Sequence, residues 1–488
     1  MAKFITFTKE ILSEQVIGTL REIGRVIGVK SPSTQNKEEL IEAIMDVQQN
    51  KVAPVWGTKG ARVKTKINLS AFIVDDEEDE SKANEEKKED KPIDPDKIPY
   101  SEYVKNFGSS EYVFRDSQVL FPVEGIFEQL EAGYGFIRTK NYEMSSNDVH
   151  VSGHVIKKYQ LKSGDKVKAR AKVIKEGSAP SAFVVTEIND AFPDYILGRD
   201  DFDSLIPCYP KRRFNFGLSE DLSLRCIDLF APIGKGQRGL IVAPPKAGKT
   251  TLVKKLAKCI EKKNPEVNLF VLLIDERPEE VTDIIENVDA EVVYSTFDQK
   301  PEHHIRAAEL VIERAKRMAE FGASVVILLD SITRLTKAYN NTIESSGKTL
   351  TGGIDPVALQ MAKKLFGSAR NTKGNGNITI LATAMVDTGS KMDDVIYEEF
   401  KSTGNMEIHL SRELSERRIF PAIDLKKTGT RNEELLLSEE ELDAVYRIRK
   451  LLGGSADQTS ALLEMLKKTK DNSELLSKSE AWTKLLDK

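Results

Sequence analysis

The sequence predicts a multidomain chain: a small helical unit at the N-terminus, a small β-barrel, and an α/β domain with a mostly parallel sheet and a helical C-terminal tail. Three observations carry that prediction. The apolar run Leu240-Ile241-Val242 passes through Ala243-Pro244-Pro245-Lys246-Ala247-Gly248-Lys249-Thr250-Thr251 into a helix-forming stretch. From about Gly239 to Phe420 apolar strands alternate with helical patterns, an arrangement that buries a parallel sheet between helices. From Val119 to about Asp190, short β-like runs separated by Gly, Ser and Asn turns fit a barrel. At 488 residues the chain is too long for one compact core. The expected boundaries are 1–48, 49–117, 118–190, 191–238 and 239–488.

Val16, Ile17, Leu20, Ile23 and Ile27 recur at helical spacing, and a second helix is expected to start at Asn36, with Glu39 three residues on as its capping partner. The segment 49–117 carries Lys59, Arg62, Lys64 and Lys66, then an acidic run from Asp75 to Glu80, then mixed charges with Pro92 and Pro95. It is expected to be a disordered linker. The barrel strands are Gly125-Ile126-Phe127, Gly135-Phe136-Ile137, Asp148 to Val151, Lys166 to Ala169 and Ala182 to Val185. A connector, 191–238, contains Lys211-Arg212-Arg213. The strands of the α/β domain are Leu240 to Val242, Leu269 to Ile274, Val325 to Leu329 and Ile378 to Ala382. Beyond Leu435, Ser438-Glu439-Glu440-Glu441 precedes periodic apolar residues, so the tail is expected to be helical and to pack on the sheet.

Composition narrows the class. The net charge of −5 gives no nucleic-acid footprint for the whole chain, so any basic surface must be local. Cys208, Cys226 and Cys259 lack metal-ligand spacing and point to a reducing compartment. The five histidines, His150 and His154 among them, form no metal spacing and read as structural or solvated. No run is apolar enough to span a bilayer, and a soluble, cytoplasmic chain with no membrane partner is expected.

A strand-to-helix turn aims backbone N–H groups and the positive helix end at one point, where phosphate oxygens can sit. Gly248 permits close backbone approach, Lys249 can reach the outer phosphates, and the Thr250 hydroxyl is placed to ligate Mg²⁺. The usual leading glycine of such a loop is Ala243 here. Asp330 ends an apolar strand about eighty residues later, which would put its carboxylate beside the same ion. Leu269 to Ile274 delivers Asp275-Glu276 at its carboxyl end, making Glu276 the candidate for orienting an attacking water. Downstream, the arginines of Glu416-Arg417-Arg418-Ile419-Phe420 and Gly429-Thr430-Arg431 are candidates for a cation supplied from a neighbouring subunit, and Phe420 for stacking on adenine. The loops Ser345 to Gly353 and Asp387 to Met392 each pair glycine with a lysine, Lys348 or Lys391, suited to a phosphate backbone in a channel.

In the barrel, Tyr134 and Phe136 stand two residues apart on one strand with Arg138 on the same face, a base-stacking platform. Lys157, Lys158, Lys162, Lys166, Lys168, Arg170, Lys172 and Lys175 against Asp165 read as a basic patch.

As a set, Ala243 to Thr250, Ile274 to Thr282, Leu328 to Arg334, Gly347 to Gly353 and Asp387 to Lys391 resemble the Rho family of bacterial transcription termination factors, over about Phe121 to Asn472. The resemblance implies an OB-fold barrel, cold-shock-like, joined to a RecA-like ATPase domain, in a homohexamer that hydrolyses ATP with Mg²⁺. Such a ring is an RNA-dependent ATPase and RNA/DNA helicase that moves 5′ to 3′ on single-stranded RNA and acts on the RNA polymerase elongation complex. Lys246, Ala247, Gly248, Lys249, Thr250 and Thr251 would hold the nucleotide, Thr250 and Asp330 the metal side, Glu276 the water and Phe420 the base. Arg418 or Arg431 would act across the subunit interface, Lys348 and Lys391 would grip RNA in the channel, and Tyr134, Phe136 and Arg138 would form the outer RNA site. Two features depart from the pattern: Glu176 to Ser181 offers no further aromatic, and the charged segment from about Lys51 to Tyr100 is long. A rotary-type ATPase subunit, and an RNA chaperone or packaging protein, are the rival readings.

Overall fold

In the computed structural model the described residues are 35–48 and 120–478, less 174–178, 374–375 and 452–455, with isolated positions before residue 30. The expected linker, Lys59 to Lys66 within it, and most of the first expected helix lie outside these residues. The chain divides into two compact units, Met1–Asp94 and Pro95–Lys488.

In the first unit, α1 (Lys37–Gln48) starts at the expected capping box. The Asn36 side chain accepts from the Glu39 amide at 3.0 Å and the Glu39 carboxylate accepts from the Asn36 amide at 3.1 Å, satisfying two donors the helix cannot. Leu40, Ile41 and Ile44 on its inner face pack with Leu12, Leu20 and Val29.

In the second unit, β1 (Phe121–Gln129), β2 (Gly135–Arg138), β3 (Val149–Val151), β4 (Lys166–Lys172) and β5 (Ser181–Ile188) close into a barrel in the order β1-β2-β3-β5-β4, with α2 (Gly153–Tyr159) between β3 and β4. Alternation does the work: Val167, Ala169 and Ala171 point inward while Lys166, Lys168, Arg170 and Lys172 between them lie outward. Gly135 is obligatory in β2, since a Cβ there would stand 2.5 Å from the Phe127 ring in the barrel core.

After β6 (Pro207–Cys208) and α3 (Leu222–Phe230) the α/β sheet begins. Its elements are β7 (Arg238–Ala243), α4 (Lys249–Lys263), β8 (Val267–Glu276), α5 (Pro278–Asn287), β9 (Glu291–Thr296), α6 (Pro301–Glu320), β10 (Ser324–Asp330), α7 (Ile332–Thr342) and α8 (Pro356–Phe366). They continue with β11 (Arg370–Thr372), β12 (Asn377–Met385), α9 (Lys391–Thr403), β13 (Met406–His409), α10 (Arg412–Glu416) and β14 (Gly429–Thr430). The tail is α11 (Glu439–Leu451), α12 (Ala456–Lys467) and α13 (Asn472–Ser477). Strand order is β14-β13-β7-β12-β10-β8-β9, parallel from β13 to β9, and the central strands are buried on both faces as their unbroken apolar runs require.

One face packs α4, α5 and the tail helices, with Val445, Ile448, Leu462 and Leu466 in the same core as Ile241 and Val271. The other packs α6 to α9. Buried Arg225 fastens the tail: its guanidinium donates to the carbonyls of Leu466 and Thr469 at 2.7 Å, to that of Asp471 at 2.8 Å and to Asn472 Oδ1 at 3.0 Å. The barrel covers the sheet edge at β9, where Asn141 Nδ2 donates to the Tyr294 carbonyl at 3.0 Å and Asn141 Oδ1 accepts from its amide at 3.3 Å. That pairing protects an edge strand as a neighbouring strand would. The Tyr142 hydroxyl donates to Glu291 beside it.

Candidate nucleotide site and nucleic-acid interface

The loop between β7 and α4 has the backbone an anion needs. Gly248 has φ +91° and Lys246 φ +64°, and no side chain caps the amides of the first turn of α4. Those free donors and the helix dipole point at one place. Ala243 is buried at the end of β7, Ala247 is buried inside the loop, and Thr251 is exposed. The loop is held from outside by α10, where Ser415 Oγ donates to the Lys246 carbonyl at 3.2 Å.

Two more strands converge there. Lys249 Nζ lies 2.5 Å from Asp330 Oδ1 at the end of β10 and 3.8 Å from Glu276 Oε2 at the end of β8. Asp330 is fixed by Thr383 of β12, whose hydroxyl donates to Oδ1 at 2.7 Å. Glu276 is 2 % exposed, and burial raises its pKa although the Arg334 guanidinium, 3.1 Å away, pulls it back. Arg334 also donates to the Asp275 carbonyl, tying α7 to β8. The Thr250 hydroxyl donates to Glu280 at 3.3 Å. Arg334, Thr383 and Glu280 received no role from the sequence. Arg334 was within reach, standing four residues after Asp330 and so one turn into the next helix.

The two arginine candidates separate. Arg418 (φ +58°) is exposed and follows α10 on the loop's own side, as does Phe420, which is 51 % exposed. Arg431 follows β14 at the other end of the sheet: its amide donates to the Asn405 carbonyl at 2.9 Å, and the Asn405 amide donates to that of Arg238, the first residue of β7. Five strand steps of β7, roughly 16 Å, divide Arg431 from the phosphate loop. Arg431 lines a cavity of about 340 Å³ with Gln237, Arg238, Ser402, Thr403 and Asn405.

Lys348 and Lys391 are both exposed, and their loops touch. A Cβ on Gly352 would come 3.0 Å from the Lys391 carbonyl, so these loops form one surface. Buried Asp393 steadies it, accepting from the Thr388 hydroxyl at 2.7 Å and pairing with Lys337 at 2.6 Å.

On the barrel, Tyr134 and Phe136 meet edge to face with centroids 5.9 Å apart. His150 of β3 completes a cluster, 5.4 Å from Tyr134 and 5.7 Å from Phe136, so the ring read as plain in the sequence belongs to the platform. Strand pairing made that contact, and spacing along the chain could not reveal it. Arg138, which the sequence puts on the platform's face, is buried and ion-paired. It is 4 % exposed, bonded to Glu128 at 2.5 Å and Asp148 at 2.7 Å, and its guanidinium carbon stands 5.0 Å from the Phe136 centroid. It fixes the ring from beneath. The basic patch is corrected: Lys162 pairs with Asp201, Lys166 with Glu124 at 3.0 Å and Asp190 at 3.2 Å, and Lys168 with Glu187 at 2.7 Å. Carboxylates distant in sequence neutralise these three of its eight cations, and Lys175 lies outside the described residues.

Residues 123–194 match the RNA-binding domain of the Rho termination factor, and residues 223–429 match the nucleotide-binding domain of the ATP synthase α/β family. The chain is 51 % identical to transcription termination factor Rho of Bacillus subtilis over 74 % of its own length and 85 % of that protein's. It is 51 % identical to Rho of Aquifex aeolicus over 75 % of its length and 86 % of that protein's, and to Rho of Pseudomonas aeruginosa over 72 % and 86 %. The sheet and phosphate loop alone would also suit a rotary-type subunit; the barrel at 123–194 is matched as a Rho RNA-binding domain. With that barrel joined to an ATP-binding sheet in one chain, the protein belongs to the transcription termination factor Rho family.

Proposed function

We propose that this chain is an ATP-driven, 5′ to 3′ translocase on single-stranded RNA that ends transcription at the RNA polymerase elongation complex, working in the cytoplasm as a homohexamer. The observation that carries the reading is the joining of an aromatic-faced barrel to the Lys249–Asp330–Glu276 cluster in one chain. The barrel captures RNA by stacking, and the paired loops of Lys348 and Lys391 hold it by phosphate contacts.

ATP lies with its phosphates on the amides of Lys246 to Thr251, the Lys249 ammonium exchanging Asp330 for the outer phosphate oxygens. The Thr250 hydroxyl and the Asp330 carboxylate are hard oxygen donors of the kind Mg²⁺ takes alongside phosphate. Bound there, Mg²⁺ would neutralise charge on the transferring phosphoryl group. Glu276 orients the in-line water and accepts its proton, and the Arg334 guanidinium 3.1 Å away opposes the rise in its pKa that burial causes. Phe420 lies against adenine beside its own loop, with Arg418 near it. Arg431, remote from that loop, serves the nucleotide of the adjoining subunit.

The test is ATP turnover of the full chain with each homopolymeric RNA over a salt series. RNA-stimulated turnover that weakens steeply with salt is expected. Turnover indifferent to RNA would replace this reading with the rotary-type one.

A further inference from the structure

The outer face of the barrel does not end at the Tyr134–Phe136–His150 cluster. β3 pairs with β5 at His150 and Ser181, and Ser181 Oγ lies 3.5 Å from His150 Nδ1. Phe183, the extra residue of a bulge in β5 between Ala182 and Val184, is 47 % exposed and turned to the outer side. Beside it on β4 stands Lys172, whose register partner is Ser181 and whose ammonium lies 4.3 Å from the Phe183 ring centroid. Lys166 and Lys168 on the same strand are neutralised by carboxylates, whereas the interaction made by Lys172 is with this ring.

A single exposed phenylalanine needs no explanation on a protein surface. Here the ring continues an aromatic row, at two strand spacings from β2, roughly 10 Å, too far to share one base with Phe136. A base stacked on Phe183 gains the ring surface and the neighbouring cation together, the combination that binds single strands without reading their sequence.

We propose that Phe183 and Lys172 form a second stacking station for single-stranded RNA, reached by a strand that leaves Tyr134 and Phe136 and crosses His150 and Ser181. The station rests on the reading of the Tyr134–Phe136 platform as an RNA site, and it sets the length of strand the barrel holds. A short oligonucleotide occupies the first platform alone. A longer one occupies both.

Equilibrium binding of the full chain to a labelled pyrimidine dinucleotide and to a hexanucleotide, without ATP, tests this. Phe183→Ala should weaken hexanucleotide binding roughly five- to tenfold, leave the dinucleotide unchanged, and be rescued by Phe183→Trp. Tyr134→Ala should weaken both. The station is overturned if Phe183→Ala binds the hexanucleotide as the parent does while Tyr134→Ala loses it, or if Phe183→Ala weakens both probes equally. Should Tyr134→Ala also leave both unchanged, the platform reading fails and the station with it.

Discussion

The nucleotide site and the outer face of the barrel handle charge in opposite ways. At the nucleotide site the functional groups are buried and interlocked: Asp330 is 1 % exposed and bonded to both Lys249 and Thr383, and Glu276 is held between Lys249 and Arg334. On the barrel the buried ions, Arg138 and Asp148, brace the contact surface from below, while the rings that would touch a ligand are partly open. Buried charges in low dielectric act strongly and fail together. Exposed rings act singly and add.

Substitutions can break or sharpen that contrast. Arg431→Ala should lower ATP turnover by about 10³- to 10⁵-fold with nucleotide affinity nearly unchanged, as read by turnover beside equilibrium binding of a labelled nucleotide. A loss confined to affinity would put Arg431 outside the reaction. Glu276→Gln should cost about 10²- to 10⁴-fold in turnover. The parent's acid limb sharpens the same point. The base works only when ionised and burial raises its pKa, so turnover should climb with pH through a midpoint above the ordinary 4.5. Arg334→Met, by removing the charge that opposes this shift, should move the midpoint higher still. On the barrel the effects shrink: Tyr134→Ala or Phe136→Ala should each weaken RNA binding about 5- to 150-fold in titrations, leaving basal turnover intact. Smallest is Lys168→Gln, with affinity changed less than about twofold, because Glu187 already neutralises that ammonium. A large loss there would restore the basic patch as an RNA surface.

Much of this was legible in the sequence wherever the signal is local. The capping box at Asn36 and Glu39, the five barrel strands and the four central strands of the sheet could be read because each declares itself within a few residues. Strands β9 and β13 escaped. Glu291–Thr296 is a polar-flanked edge and Met406–His409 is four residues long, so neither shows the unbroken apolar run that marks a buried parallel strand. The site was legible as a set of strand ends and obscure in its lateral partners. Thr383 reaches Asp330 from 53 residues away and Glu187 reaches Lys168 from 19, separations at which only the folded sheet defines a pair. The same holds for Arg138, whose sequence neighbours gave no sign of Asp148 beneath it.

The placement of Arg431 at one end of β7 and the phosphate loop at the other has a consequence for populations of chains. Under the proposed assignment of Arg431 to the adjoining subunit's nucleotide, each chain would carry two complementary half-sites and no whole one, so turnover per chain should fall on dilution faster than any single-chain enzyme's. When altered and unaltered chains mix, an Arg431→Ala copy should leave its own loop served and silence its neighbour's. In the proposed ring, one such copy would remove a working site from every assembly it enters, so the allele would behave as dominant over the parent.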